Sequence, residues 1–387
     1  MMVSFIATVV FLFASPNDQL QDLIKKSNSK NRDVQISAID EIGKLAKSLS
    51  GKERKVAAEK IISSVSSSTS LVVTAAKLQL AENPELYNEY VGSFLTSDEP
   101  FKIGQGCEAI KAIGAPAKKW LKPLQTHLDN DERNYHLAAL HALAYLDGKD
   151  LEPLMDNVIA RLDSKDFNVQ LSACRVLAQI GVPAKKAVPK LVDLLKNGLP
   201  SARSWASIAL GAIGPHEDYP IVQLLEERLD YFYVVDRQRA LQGIAYLGEH
   251  AKPALPKIEQ LMKMKSKSVQ HTASRTYWKV TGNAQPAVDT LITLLPTMEY
   301  GVDSMDILTE IGSEAKKAVP DLIKQLTSTE AGHREAAVYA LASIGSDAKP
   351  AVAALKKMNK DEDVLVRSAA KKAIETILFD EKKKSGK

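Results

Sequence analysis

The chain is poor in the residues that usually announce chemistry. Among 387 residues there are two cysteines, Cys107 and Cys174, and seven histidines. Two cysteines in so long a chain do not form a disulfide framework, and no CxxC or Cys/His spacing suggests zinc. There is no phosphate-cradling glycine loop, no HExxH and no GxSxG. Aromatics make up only 6% of the chain, which with abundant Ala, Leu, Ile and Lys favours helix over sheet. Excess charge is also lacking: 51 basic residues stand against 47 acidic ones, net +4, too little on this length to argue for nucleic acid.

The apolar run VSFIATVVFLFA, Val3 to Ala14, is too short to span a bilayer comfortably. Its length suits the hydrophobic region of a secretory signal, although no Lys or Arg precedes it and Pro16 follows the small pair Ala14-Ser15. Residues 1–15 are read as a signal peptide or uncleaved anchor, which implies a secreted or periplasmic chain. The alternative is an apolar capping helix on a cytoplasmic protein. The first helical pattern begins only afterwards, at Asn17-Asp18.

What the chain does have is an internal period. The segment ACRVLAQIGVPAKKAVPKLVDLLK, from Ala173, returns as ILTEIGSEAKKAVPDLIKQL from Ile307 and as YALASIGSDAKPAVAALKKM from Tyr339. The residue after the last apolar residue of each copy gives the series Gly114, Asp147, Gly181, Gly214, Gly248, Thr281, Gly312, Gly345, spaced by 33, 34, 33, 34, 33, 31 and 33. Gly43 begins the series upstream, and a degenerate copy, Leu71 to Asn83, fills the gap. The usual glycine at this marker is expected to end a helix, where its backbone freedom costs nothing sterically. Ala-Lys follows three residues later, and Pro189, Pro256 and Pro320 sit at one place near the start of the next helix, where proline is tolerated. A small residue lies eight before the marker (Ala139, Ala173, Ala206, Ala240, Ala273, Ala337), and large apolar residues lie four and one before it, as Leu177 and Ile180. Each unit is a helix pair that cannot bury its faces alone and depends on its neighbours. The expected fold is all-α, a right-handed α-solenoid of about ten helix pairs over residues 17–379, with a basic polar tail at 380–387.

With these residues the pattern resembles HEAT repeats, particularly the short HEAT-like class of the phycobilin lyases. The matching positions are the proline of the first helix and an Arg opening the second, Arg203, Arg237, Arg334 and Arg367. An acidic residue stands four before two of them, Glu330 and Asp363, and Asp166 and Glu132 hold the same place where the Arg is absent. The resemblance implies that such Asp and Arg residues form hydrogen-bonded ladders between repeats, so these arginines are read as structural. It implies bilin handling only remotely. Deoxyhypusine hydroxylase is a HEAT-repeat enzyme with several His-Glu pairs at iron. Here there is one such pair, His216-Glu217, which cannot make that site. The two cysteines are two repeats apart, about 20 Å at roughly 10 Å per layer, and are expected to be small core residues without a disulfide.

In HEAT solenoids the second helices line the concave face. Positions two, six, nine and thirteen before the marker share one helix face. That stripe carries His141 and Tyr145, then Arg175 and Gln179, then Trp205, then Arg239, Gln242 and Tyr246, then Arg275 and Lys279. The next copy switches sign, with Glu299, Asp303, Asp306 and Glu310. Aromatic and Arg side chains are enriched at binding hot spots. The expected site is therefore a groove of Tyr145, Arg175, Gln179, Trp205, Arg239, Gln242, Tyr246, Arg275 and Lys279, holding an extended or helical protein segment of acidic character. A solvated inner face is the alternative. No catalytic residue, metal site or cofactor is expected, and nucleic acid is disfavoured by the low charge and the acidic neighbour. A membrane is expected only through the leader. The reading is a non-enzymatic protein-interaction scaffold, and the alternative is an accessory subunit or enzyme of the lyase-like class acting on a bound prosthetic group or modified protein.

Overall fold

The structure, a computed structural model, describes residues 15–67, 70–113, 120–130, 132–144 and 146–384. The leader up to Ala14, the marker Gly114 and the expected groove residue Tyr145 lie outside the described residues. The described chain is all-α, with no strand among the described residues. It divides into two compact units, one ending at Leu194 and one running from Leu195 to the C-terminus.

Helices alternate as first and second members of pairs. In the first unit these are α1 (Pro16–Ser27) and α2 (Arg32–Ala46), α3 (Gly51–Ser64) and α4 (Ser70–Glu82), α5 (Pro84–Leu95) and α6 (Pro100–Ile113), α7 (Leu121–Leu128) and α8 (Arg133–Leu143), then α9 (Met155–Ala160) and α10 (Phe167–Ile180). Helix α11 (Val188–Asn197) ends just inside the second unit, which continues with α12 (Pro200–Ile213), α13 (Ile221–Arg228) and α14 (Val234–Leu247). It then runs through α15 (Leu255–Met262), α16 (Lys267–Thr281), α17 (Gln285–Leu294), α18 (Gly301–Ile311), α19 (Val319–Gln325), α20 (Ala331–Ile344), α21 (Val352–Met358) and α22 (Val364–Lys384). Among the described residues the even-numbered second helices make eleven pairs, against about ten expected. The degenerate stretch forms a full helix, α4. Within each unit successive second helices pack on one another, α2 on α4 on α6 on α8 on α10, and α12 on α14 on α16 on α18 on α20 on α22.

The repeat chemistry explains the turns. Helix α10 starts at the Asp166 cap, which accepts the backbone N–H groups of Asn168 (2.8 Å) and Val169 (3.4 Å). It ends at Gly181, φ 68°, and the equivalent Gly345 has φ 72°. Beyond the glycine the chain takes a 3-10 segment, as in Gly248–Ala254, Gly312–Ala318 and Gly345–Ala351, that buries the alanine of the Ala-Lys pair and exposes the lysine. Two markers fall differently. Helix α16 runs through Thr281, and Gly282, φ 68°, ends it. Gly43 lies inside α2 and ends nothing. A Cβ there would lie 2.0 Å from Gln79 Oε1, so it is glycine because Gln79 crosses that surface to reach Asp40 (2.9 Å).

The apolar positions read from the period are the core. Leu177, Leu210, Ile244, Leu308 and Leu341 are fully buried, and so are the small residues Ala173, Ala206, Ala240, Ala273 and Ala337. Helices α12 and α14 approach each other closely. A Cβ on Gly211 would lie 2.1 Å from the Gly243 carbonyl oxygen. Both cysteines are free and buried, and burial pushes each thiol up to about 12. That is the behaviour of small apolar core residues, as their spacing implied.

Candidate functional site

The arginines opening the second helices are occupied by structure. Arg203 donates Nη2 to Asp236 Oδ2 (3.1 Å), one repeat on, where the Asp236 side chain is buried and Arg203 partly so. Arg334 grips Asp361 through Nε and Nη2 (2.8 Å each) and also donates to the Ser328 and Thr329 carbonyls. Arg367 donates to the Asp361 and Glu362 carbonyls, at 2.6 and 3.0 Å. Arg133 pairs with Asp166 on the surface. Arg237 departs from the pattern: its guanidinium lies against Met264 Sδ (4.0 Å) rather than a carboxylate. The contacts of Arg133, Arg203, Arg237 and Arg334 to Asp166, Asp236, Met264 and Asp361 join a repeat to the next, whereas Arg367 binds within its own turn.

Several histidines are likewise absorbed. His127 contacts the Leu95 carbonyl, His136 contacts the Asn130 carbonyl and Arg161 Nη1 (2.8 Å), and His333 Nε2 lies 3.4 Å from the Thr297 carbonyl. His216 Nδ1 accepts the Asp218 backbone N–H (3.1 Å) in its turn. Among the described residues no group of His, Cys, Asp and Glu could hold a metal ion.

The exposed stripe of the second unit makes a site with walls. A groove of about 510 Å³ is lined by Trp205 and Ile208 of α12, Arg239, Gln242, Ala245 and Tyr246 of α14, Arg275 and Lys279 of α16, and Glu310 of α18. Six of the nine residues expected to form the groove therefore meet in it. The α12–α14 glycine contact helps to set this geometry, because it brings the two helix faces close enough for Arg239 to lie over Trp205, with Cζ 5.0 Å from the ring centroid. Arg239 Nη1 also donates to Gln242 Oε1 (2.8 Å). Tyr246 stands at the rim, 65% exposed.

The basic and acidic zones, expected as neighbours, are cross-linked. Glu310 accepts Arg275 Nε (2.8 Å) and Nη2 (3.2 Å) and pairs with Lys279 Nζ (2.7 Å). Burial pushes the Glu310 carboxyl up, but the hydrogen bonds from Arg275 and Lys279 outweigh it and hold it below its ordinary value. With Arg239, Arg275 and Lys279 against Glu310, the groove keeps a cationic excess. An adjoining cleft of about 270 Å³ is lined by His271, Asp303 and Asp306 together with Arg275 and Glu310. There, burial first and the charge of Asp303 second raise the Asp306 carboxyl above its ordinary value. The acidic lining adjoins the cationic groove without Trp205 entering it. No histidine lines the groove beside Trp205.

In the first unit, Arg175 and Gln179 share one face of α10, Gln179 exposed and Arg175 half-buried. Burial, then the charge of Arg175, lowers the His141 imidazole below its ordinary value, which places these two stripe residues within electrostatic reach. Ile208 and Ala245 were not read from the sequence as site residues. Their signal was present: each faces the groove from a stripe helix, but a small or aliphatic residue there looks like core.

Residues 155–232 and 304–375 match the family model for HEAT repeats. The chain contains HEAT repeats. The matched segments omit residues 233–303 and the region before Met155, where the marker glycines are scarce. Among solved structures, an engineered protein is 21% identical over 93% of this chain and 99% of its own, with a TM-score of 0.40. A second engineered protein is 24% identical over 58% of this chain and 97% of its own, with a TM-score of 0.29. A Kap121p mutant is 15% identical over 95% of this chain, which spans 46% of that protein's chain, with a TM-score of 0.44. No curated protein sequence matches the chain.

Proposed function

We propose that the chain is a non-enzymatic interaction scaffold that holds a protein segment in the α12–α18 groove of its second unit. A HEAT-repeat fold is consistent with a protein-interaction scaffold, and the groove is what supports the finer reading. One observation carries it: Trp205, Arg239 and Tyr246 line a single groove with a cationic excess and an aromatic wall. Trp, Tyr and Arg are the side chains that most often carry binding energy, because they bury large area and still offer polar contacts. The Arg275–Glu310–Lys279 cluster adds selectivity. A carboxylate from the partner can exchange with Glu310 on a planar guanidinium already held in place. The partner segment is therefore one with an apolar or aromatic residue flanked by acidic ones. Glu310, the acidic residue lining the groove, is held by Arg275 and Lys279, which favours binding over catalysis. The apolar stretch from Val3 to Ala14 would export or tether such a scaffold.

The test is a comparative pull-down from native extract with the full chain and with Trp205→Ala, Arg239→Ala and Tyr246→Ala combined, both first shown to have equal helical content. A protein retained by the wild type and lost by the variant supports the groove. Equal retention by both, or none by either, overturns it.

A further inference from the structure

A different edge of the second unit carries apolar side chains that no fold contact explains. Three successive turns between first and second helices meet there: residues 195–200, 228–234 and 263–267. Arg228 Nη2 donates to the Leu195 carbonyl (2.6 Å) and its guanidinium lies 4.3 Å from the Tyr231 ring centroid, joining the first turn to the second. Lys257 pairs with Asp230, and Arg237 lies against Met264, joining the second to the third. On this tied edge Phe232 is 88% exposed, Leu199 60% and Tyr233 59%, with the Phe232 and Tyr233 rings edge to face at 5.6 Å. Exposing a phenylalanine this fully forfeits its burial, and a contiguous apolar patch marks a contact surface.

The neighbouring charges say which kind of surface. Lys263, Lys265 and Lys267 are exposed on the third turn, and among the described residues they take part in no ion pair. The only acidic residues at residues 195–200, 228–237 and 263–267 are Asp230 and Asp236, and both are spent, on Lys257 and on Arg203. An aromatic tip beside unpaired lysines is the chemistry of an anionic lipid interface. Aromatic rings partition to the headgroup level, lysines are drawn to the negative surface potential, and neither needs a shaped socket. A protein partner would have to supply both an aromatic pocket and carboxylates in register with lysines one repeat away.

We propose that this turn edge docks the second unit on an anionic membrane surface through Phe232, Tyr233 and the three lysines. No helix among the described residues is long and apolar enough to cross a membrane, so the contact is peripheral. The site is separate from the α12–α18 groove, and neither reading depends on the other.

Co-sedimentation of the full chain with vesicles tests it. One set is phosphatidylcholine with roughly one part in four phosphatidylserine, the other phosphatidylcholine alone. The expected result is retention on the serine-lipid vesicles that weakens with added salt. Phe232→Ser with Tyr233→Ser should reduce partitioning about tenfold. Lys263→Glu, Lys265→Glu and Lys267→Glu together should reduce it by about a hundredfold, roughly fivefold per lysine. Both variants change exposed side chains and should keep the wild-type melt. Retention unchanged in either folded variant, equal retention on pure phosphatidylcholine, or no retention of the wild type overturns the proposal. A contribution from the apolar leader would be common to all three proteins and would show as retention that neither variant alters.

Discussion

In the second unit, α12, α14, α16, α18 and α20 each run into a glycine with positive φ: Gly214, Gly248, Gly282, Gly312 and Gly345. In the first unit, α2 and α8 end on Lys47 and Ala144 in the right-handed region, and only α10 ends on such a glycine among the described caps. The first helices differ in scatter. In the first unit α1, α3, α5, α7 and α9 range from 6 to 14 residues. In the second, α13, α15, α17, α19 and α21 range from 7 to 10. A glycine stop lets the chain reverse in a fixed way, so repeat length varies little, with successive stops from Gly214 to Gly345 spaced by 34, 34, 30 and 33 residues. Without it the reversal is improvised from local caps, and repeat length and helix length drift. The region before Met155 kept the helix-pair architecture while losing the local device that makes it regular. The repeat is therefore enforced by burial, and the glycine only tunes it.

The first test strikes what the two regions share. Leu177→Asp places an unpaired charge at a fully buried layer position, and should cost at least about 4 kcal/mol and remove the main thermal transition. An unchanged melt would refute the layer assignment. Next comes the ladder, where the buried and exposed rungs should separate. Arg334→Ala leaves Asp361 buried and unpaired, a loss of about 3 kcal/mol by denaturant titration. Arg133→Ala breaks an exposed pair and should cost less than about 0.5 kcal/mol. Equal effects would mean burial does not set the value of a rung.

The glycine comparison can be sharpened with one substitution of opposite sign. Gly312→Ala forces a side chain onto φ 69° and should destabilise by about 1 kcal/mol. Gly332→Ala sits within α20 with open space around its Cβ, and should stabilise by about 0.5 kcal/mol. A smaller effect comes from pH. The hydrogen bond from Arg334 holds the Asp361 carboxyl below its ordinary value, with burial opposing. A depressed folded-state pKa means the stabilisation is complete above the unfolded value of about 3.9 and is lost as pH falls through the folded one. Wild-type Tm should therefore fall more steeply than that of Asp361→Asn on acidification below about pH 4. Parallel curves would show that the pair does not titrate with folding.

The architecture was legible because it is periodic: Leu177, Leu210 and Leu341 sit in their layers through spacing alone, and Arg203 and Arg334 pair with carboxylates roughly one repeat ahead. Six site residues were legible for the same reason, since one helix face at a fixed register must share one surface. What the spacing could not give was distance across the groove. Glu310 looked like the start of a separate acidic patch, and only packing brings it onto Arg275 and Lys279. Gly43 looked like a helix stop because its partner, Gln79, lies 36 residues away and belongs to the copy that had lost its pattern. The exposed aromatics at Phe232 and Tyr233 were invisible as a feature, since a turn obeys no period.

Site-specific photocrosslinking reads directly whether a partner protein lies in the groove beside Trp205. A photoreactive phenylalanine analogue placed at Tyr246, on the groove rim, is compared in native extract with the same analogue at Val182, an exposed position on a turn of the first unit. A discrete adduct is expected from the Tyr246 position that is lost when Trp205→Ala and Arg239→Ala are added, and none from Val182. Equal adducts from both positions, or an adduct at Tyr246 indifferent to Trp205 and Arg239, would contradict it.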